Sequence, residues 1–305
     1  MTTAVVIPTF NRQATVLAGL KSLFEEIPAD HQVIVVDSGS SDGTGESIRK
    51  QYSQVLLVQG DDSMWWTAAT NLGICKAREL GCSHVLTYND DNIATPGLFT
   101  SLAEDIRLFP QSIISAVCCY LDRPDTVFFA GRMRAKNSDR FYYLDHNSPV
   151  SDLDRGVRVV DLLHGMCTLV PMNVFDTIGL FDESAFPFLF ADDDFALRSV
   201  KAGFDLRVSL DARVLNDRSK TGINPYDRRL GPIGISRLLI SRRSTFQISA
   251  RTRFLWRHRH SFFYFLKTWL YDYMRLTALI IARWILPRST FQWLGKGHVQ
   301  RLQRQ

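Results

Sequence analysis

A mostly parallel α/β sheet is the fold class this 305-residue chain predicts, and three observations carry it. Apolar strand-like runs alternate with helical periodicities in β-α-β-α-β order up to Tyr88. The runs are unbroken rather than alternating, as Val33-Ile34-Val35-Val36 shows, which suits strands buried on both faces. Polar, turn-forming sequence follows the C-terminal ends of the strands, where α/β sheets bind ligands.

The first strand is Ala4-Val5-Val6-Ile7-Pro8, closed by the loop Thr9-Phe10-Asn11-Arg12. A helix is predicted from Gln13 to Glu26, with Val16, Leu17, Leu20, Leu23 and Phe24 on one face. The strand Val33–Val36 ends in Asp37 and the turn Ser38-Gly39-Ser40-Ser41-Asp42-Gly43-Thr44, which leads into a helix. Val55–Val58 is a third strand, and a helix over Thr67–Leu80 leads to the strand His84–Tyr88. Beyond residue 113 the rhythm loosens into strands at Ile113–Cys119, Thr126–Ala130, Val157–Leu163 and Gly165–Val170. Helices are expected from Asn173 to Gly179 and from Asp192 to Ala202.

Composition divides the chain in two. The net charge of +5 combines a net of −9 over residues 1–220 with +14 over residues 221–305, where 16 Lys and Arg face only Asp227 and Asp272. A domain boundary is expected near Gly222–Pro232, giving a catalytic domain over 1–220 and a basic helical region over 221–305. In the latter, Phe262, Phe265, Leu266, Trp269, Tyr273, Leu276 and Ile280 recur at helical spacing among Arg257, Arg259, Lys267, Arg275 and Arg283. An aromatic face among arginines suits an interfacial helix on an anionic membrane, or packing against the sheet or a second subunit. No apolar run reaches 18 residues, so no transmembrane helix is expected. Five cysteines without CxxC spacing and the absence of a leader before the first strand point to reduced thiols in the cytoplasm.

Two acidic clusters carry the chemistry. Asn89-Asp90-Asp91-Asn92 follows a buried strand, and Asp192-Asp193-Asp194 follows the apolar run Phe186–Phe190. Carboxylates so close repel one another, and a cation relieves that repulsion. One cluster holding a divalent metal and the other supplying a base suggests a metal-assisted transfer enzyme. A nicotinamide site is excluded because Gly39–Gly45 lacks GxGxxG, and a P-loop because no GxxxxGK[ST] exists. Nothing resembles a nucleic-acid-binding module, so no nucleic-acid partner is expected.

Val6-Ile7-Pro8-Thr9-Phe10-Asn11-Arg12, Val35-Val36-Asp37, Ser41-Asp42-Gly43-Thr44, Asn71-Leu72-Gly73, Asn89-Asp90-Asp91, Gly179-Leu180-Phe181-Asp182-Glu183 and Asp192-Asp193-Asp194-Phe195 with Arg198 occur in that order. Together they resemble the family 2 glycosyltransferases, inverting enzymes with the Rossmann-like GT-A fold, over residues 4 to about 215. The resemblance implies that Pro8, Thr9, Asn11, Arg12, Asp37, Asn71, Asn89 and Asp90 contact a nucleotide-diphosphate sugar. The alternative for Asp37 is a turn or helix cap, and for Arg12 a surface arginine. The resemblance makes Asp91 the ligand of Mg²⁺ or Mn²⁺ and Asp192 the base that deprotonates the acceptor, with Asp194 on the acceptor side. Asp193 is expected to face the helix N-terminus and its dipole.

Trp65 and Trp66 are expected near the sugar, as stacking platforms or as core. His164 and Gly165 resemble the acceptor-side segment, Gly165 for close approach and His164 alternatively as a structural histidine. Many relatives carry a metal-ligating His after the last core strand; Asn216 falls there instead. The implied function is transfer from a dTDP- or UDP-sugar, with rhamnosyl- and galactofuranosyl-type enzymes the most similar. The acceptor would be a saccharide or lipid-linked glycan in bacterial surface polysaccharide synthesis, at the inner face of the cell membrane. Homo-oligomerisation stays open. The alternatives are a nucleotidyltransferase, which lacks its Gly-rich basic loop here, and an inactive sugar-nucleotide-binding scaffold.

Overall fold

The computed structural model describes residues 2–136, 138–217 and 232–286. Up to the second acidic cluster the elements are β1 (Thr3–Thr9), α1 (Gln13–Glu26), β2 (Gln32–Asp37), α2 (Thr44–Gln51), β3 (Leu56–Gln59), α3 (Trp66–Glu79), β4 (His84–Tyr88), β5 (Asn92–Ala94), α4 (Leu98–Leu108), β6 (Ser112–Tyr120), β7 (Arg123–Phe129), β8 (Arg132–Arg134), β9 (Phe141–Tyr143), β10 (Val157–Val159), β11 (Cys167–Pro171) and α5 (Met172–Ile178). They are followed by α6 (Ala191–Lys201), β12 (Asp205–Asn216), α7 (Pro232–Ile240), α8 (Ile248–Arg257) and α9 (Phe262–Ile285).

The main sheet runs β10-β12-β6-β11-β4-β1-β2-β3, with β5 on β12 and β7 on β6. Parallel pairing joins β3, β2, β1 and β4, and joins β6 to β12; β11 runs antiparallel between β4 and β6. The sheet is therefore mostly parallel, as the apolar strands predict. From β1 the chain goes outward to β2 and β3, then crosses back through α3 to β4 on the other side of β1. This reversal opens a crevice at the C-terminal ends of β1 and β4.

Period-two strand geometry divides the core between two faces. Val5, Ile7, Val33 and Val35 pack with Val16, Leu20 and Leu23 of α1, Ile48 of α2, and Leu98 and Leu102 of α4. Ala4, Val6, Ile34 and Val36 pack with Ala69 and Ile74 of α3, Val174 and Phe175 of α5, and Phe195 of α6. Where α3 crosses β1 there is room only for glycine: a Cβ at Gly73 would overlap the Val6 side chain.

Two expectations are corrected. The strand over Val157–Leu163 stops at Val159, because the chain crosses from β12 (Val160 N to Leu206 O, 3.0 Å) to exchange hydrogen bonds between Leu162 and Arg132 of β8. The C-terminal helix also turns a different face outward than its periodicity suggested. α8 covers part of α9: Trp269 Nε1 donates to Thr252 Oγ1 at 2.8 Å, Arg251 pairs with Asp272, and Leu276 is buried. Phe265 and Trp269 pack inward, while Phe263, Leu266, Leu270, Met274, Ile281 and Ile285 form an exposed stripe, Met274 at 70% and Ile285 at 74% exposure. α8 itself buries Ala250, Phe254 and Leu255 in the same core as the sheet. The boundary expected at Gly222–Pro232 lies, up to Pro232, outside the described residues. Among the described residues no helix is long and apolar enough to cross a membrane.

Candidate active site

The crevice is walled by Pro8, Thr9, Phe10 and Arg12 after β1, by Ser38, by Asp62, Met64, Trp65 and Trp66 ahead of and opening α3, by Asn89, Asp90 and Asp91 after β4, and by Phe188 and Arg243. Its floor is polar and tightly bonded. Thr9 Oγ1 donates to Asp90 Oδ2 at 2.9 Å. Arg12 Nη1 lies 2.9 Å from both Asp90 Oδ1 and Asp91 Oδ2. Asn216 Nδ2 donates to Asp91 Oδ1 at 2.7 Å and to Asn92 Oδ1 at 2.8 Å. The sheet explains this last contact: β5 pairs with β12 so that Asn216 lies opposite Asn92. Burial raises the pKa of Asp90 to about 6, against the Arg12 charge and with the repulsion of Asp91.

Whether these residues suit a divalent metal follows from their donor set. Asn216 Oδ1 is buried without a hydrogen-bond partner, on the side chain whose Nδ2 donates to Asp91. Two carboxylates and an amide oxygen are hard ligands of the type Mg²⁺ and Mn²⁺ take. Among the described residues no group of three His, Cys, Asp or Glu side chains forms a complete cage. A partial site suits an ion that fills its sphere with ligand phosphates and water.

A second group of residues joins the crevice through Trp66. The indole donates to Asn89 Oδ1 at 3.1 Å, and its ring lies against Gly165, where a Cβ would come within 2.6 Å of it. Gly165 N donates to Asp192 Oδ2 at 3.0 Å, and Asp193 N to Asp192 Oδ1 at 2.9 Å. Burial raises the pKa of Asp192 to about 6, reinforced by Asp193 and opposed by Arg132. Each oxygen keeps a further lone pair, so this carboxylate can still accept a proton near neutral pH. His164 is buried, its ring 3.7 Å from that of Phe129 and its Nδ1 accepting from Met166 N at 3.2 Å, a structural placement.

The other sequence candidates lie apart from the crevice wall. Asn11 (φ 50°) ties two loops together by accepting from Ser41 N at 2.8 Å. Asp37 turns toward its own loop and accepts from Ser40 N at 3.0 Å, the capping alternative; its neighbour Ser38 lines the crevice. Asn71 spends both ends of its amide on Phe181 and Glu183. Asp193, expected to serve the helix dipole, pairs with Arg132 of β8.

Asp194 is corrected most. It faces away from the crevice, fully buried, and accepts from Arg198 Nε at 2.8 Å, Arg257 Nη1 at 3.0 Å and His258 Nε2 at 2.8 Å. Burial alone would raise its pKa, but the hydrogen bonds from His258, Arg198 and Arg257 outweigh it and hold the carboxyl at about 2. Arg257 and His258 close α8, so this knot ties the C-terminal helices to α6. Sequence reasoning missed Phe10, Phe188, Arg132 and Arg243. Phe10, inside a motif already singled out, was legible; the others arrive through long-range packing that leaves no local pattern.

The knot makes a stability prediction. A carboxyl with its folded pKa at about 2 stabilises the fold above the unfolded value of about 3.9, and that contribution is lost as pH falls toward 2. Asp194→Asn should cost about 2–5 kcal/mol at pH 7, because it also strands buried cations. In urea titrations the gap from the unsubstituted protein should narrow as pH drops from 5 to 3. A small or pH-independent gap would contradict the assignment.

Comparison with known proteins agrees with this geometry. Residues 4–151 match the sequence family described as Glycosyl transferase family 2. Uncharacterized glycosyltransferases of Rickettsia conorii and Rickettsia typhi are each 26% identical over 188 residues, 59% of this chain. The match covers 28% of the first relative and 54% of the second, so the chain spans about a quarter to a half of their lengths. Among solved structures, GalNAc-T7 with UDP, GalNAc and Mn²⁺ superposes with a TM-score of 0.58 at 14% identity, over 90% of this chain and 57% of that one. The mannosyltransferase PcManGT of Pyrobaculum calidifontis, in complex with GDP-Man and Mn²⁺, gives 0.54 at 16% identity, over 98% and 80%. S. aureus TarS 1-349 in complex with UDP-GlcNAc gives 0.52 at 17%, over 85% and 72%. At these identities the superpositions speak for the fold. Sequence match, sheet order and crevice position agree: residues 4–151 carry a glycosyltransferase family 2 domain, and the chain has the GT-A fold.

Proposed function

We propose that this protein is an inverting, metal-dependent glycosyltransferase that moves a sugar from a nucleoside-diphosphate donor to a saccharide or lipid-linked acceptor. The observation that carries the reading is the pair of carboxylates, Asp90 and Asp91, at the C-terminal end of β4 in the crevice, with Asp192 joined to them through Trp66 and Gly165.

Asp91 would hold the metal with Asp90 and the amide oxygen of Asn216 beside it. When bound, Mg²⁺ or Mn²⁺ supplies positive charge to the leaving diphosphate. Thr9, Ser38 and Asn89 line the donor's side, and Trp65 and Trp66 offer aromatic faces to the sugar. Asp192 takes the proton of the acceptor hydroxyl as its oxygen bonds to the anomeric carbon. The bond from that carbon to the diphosphate breaks on the opposite side, and the electron pair leaves with the nucleoside diphosphate. One displacement without a protein nucleophile inverts the anomeric configuration. A dTDP- or UDP-sugar is the favoured donor, with rhamnosyl or galactofuranosyl transfer in surface polysaccharide synthesis as its setting.

Contact with an anionic membrane, at the inner face of the cell membrane, is the second element of the proposal. The exposed stripe on α9 supplies apolar side chains, and the excess of 16 basic over 2 acidic residues from 221 onward supplies matching charge.

Mn²⁺ with UDP or dTDP should raise the melting temperature by mass action, and Asp91→Ala should abolish the metal-dependent part. Asp192→Asn should keep that shift yet lower kcat by at least about 10²-fold. In the unsubstituted enzyme the acid limb of kcat/KM should fall near pH 6, following Asp192, with activity lost as pH drops below it. Retained transfer in Asp192→Asn would remove the base; transfer absent from the unsubstituted protein despite nucleotide binding would favour the scaffold. Serine at Phe263, Leu270 and Met274 together should release the protein from phosphatidylserine vesicles in flotation while nucleotide binding persists. Unchanged flotation would contradict the membrane face.

A further inference from the structure

All four oxygens of Asp90 and Asp91 are engaged by the chain itself. Thr9 Oγ1 holds Asp90 Oδ2 and Asn216 Nδ2 holds Asp91 Oδ1, while one nitrogen, Arg12 Nη1, bridges Asp90 Oδ1 and Asp91 Oδ2. These partners differ in how freely they can leave. Thr9 and Asn216 are neutral, fixed at strand ends and 3% and 1% exposed. The Arg12 side chain is charged, 28% exposed and carried by the loop that opens the crevice wall. A divalent ion on the bridged oxygens and a guanidinium on the same oxygens would repel strongly at this depth. Only the arginine has a long, solvent-reaching side chain able to give way.

We propose that Arg12 is an exchangeable cation: it bridges Asp90 and Asp91 while they hold no metal, and turns its guanidinium to the donor diphosphate when a divalent ion takes those oxygens. The inference rests on the metal-binding reading above and adds a linkage to it. The pair keeps a positive partner throughout, so the crevice floor is never left with two uncompensated buried carboxylates. The released guanidinium meets phosphate oxygens, which its planar fork suits. Metal therefore favours the diphosphate and, by reciprocity, the diphosphate favours metal. Arg12 acts here as a positioning residue, with no part in bond breaking.

Free Mn²⁺ measured by electron paramagnetic resonance, with and without UDP or dTDP, tests this in the unsubstituted protein, Arg12→Gln and Arg12→Lys, each checked for folding by its melting curve. Arg12→Gln should bind Mn²⁺ alone about tenfold more tightly, and the factor by which the nucleotide tightens Mn²⁺ should shrink, leaving the part due to direct phosphate–metal contact. Arg12→Lys, which keeps the charge, should remain closer to the unsubstituted protein on both counts. Unchanged or weaker Mn²⁺ binding by folded Arg12→Gln would overturn the exchange and leave the metal site standing. Absence of Mn²⁺ binding in all three proteins, with and without nucleotide, would overturn the metal reading and this proposal together.

Discussion

Two carboxylates forced together at the end of a buried strand are the constraint around which the crevice is built. Asp90 and Asp91 are adjacent in sequence, nearly inaccessible, and repel one another where water cannot screen them. The surrounding structure answers that repulsion piece by piece. β1 ends in the buried Thr9, which donates to Asp90, and the loop beyond it returns Arg12 across both carboxylates. β12 runs its full length against β6, past an irregularity between Ser209 and Arg213, and so delivers Asn216 to Asp91. Elements distant in sequence thus converge on one pair of side chains.

The second acidic cluster shows how one turn of helix gives three neighbouring carboxylates three environments. Asp192 points to the Gly165 backbone and keeps a raised pKa; Asp193 is neutralised by Arg132; Asp194 is buried among Arg198, Arg257 and His258 and held far below the usual carboxylate range. The helix period separates them by about 100° each, so each meets a different wall. The third environment gives the basic C-terminal helices a mechanical tie to the helix that carries the proposed base.

Much of this was legible in the sequence. Gln13–Glu26 and His84–Tyr88 form as their patterns predict, because an amphipathic period and an unbroken apolar run are local signals. In the crevice, Asp90 and Asp91 were legible because an acidic run at a strand end marks a ligand site in α/β sheets, whereas Pro8, Thr9, Arg12 and Asn89 came through the family resemblance. Orientation was not. Nothing in Asp192-Asp193-Asp194 says which carboxylate meets Arg198, Arg257 and His258, since two of those partners arrive from residues 257 and 258. The α9 stripe was misjudged for a related reason: both faces carry large apolar side chains, and only the packing of α8 decides which face is covered.

In the proposed mechanism everything turns on the Asp90–Asp91 pair as the cation and diphosphate site. Crystals grown with Mn²⁺ and UDP or dTDP, measured near the manganese absorption edge, test it most directly. An anomalous peak is expected at Asp91 Oδ2, shared with the diphosphate, with the nucleotide lying along the wall formed by Thr9 and Ser38. A nucleotide bound elsewhere, or a manganese peak away from Asp91, would contradict it.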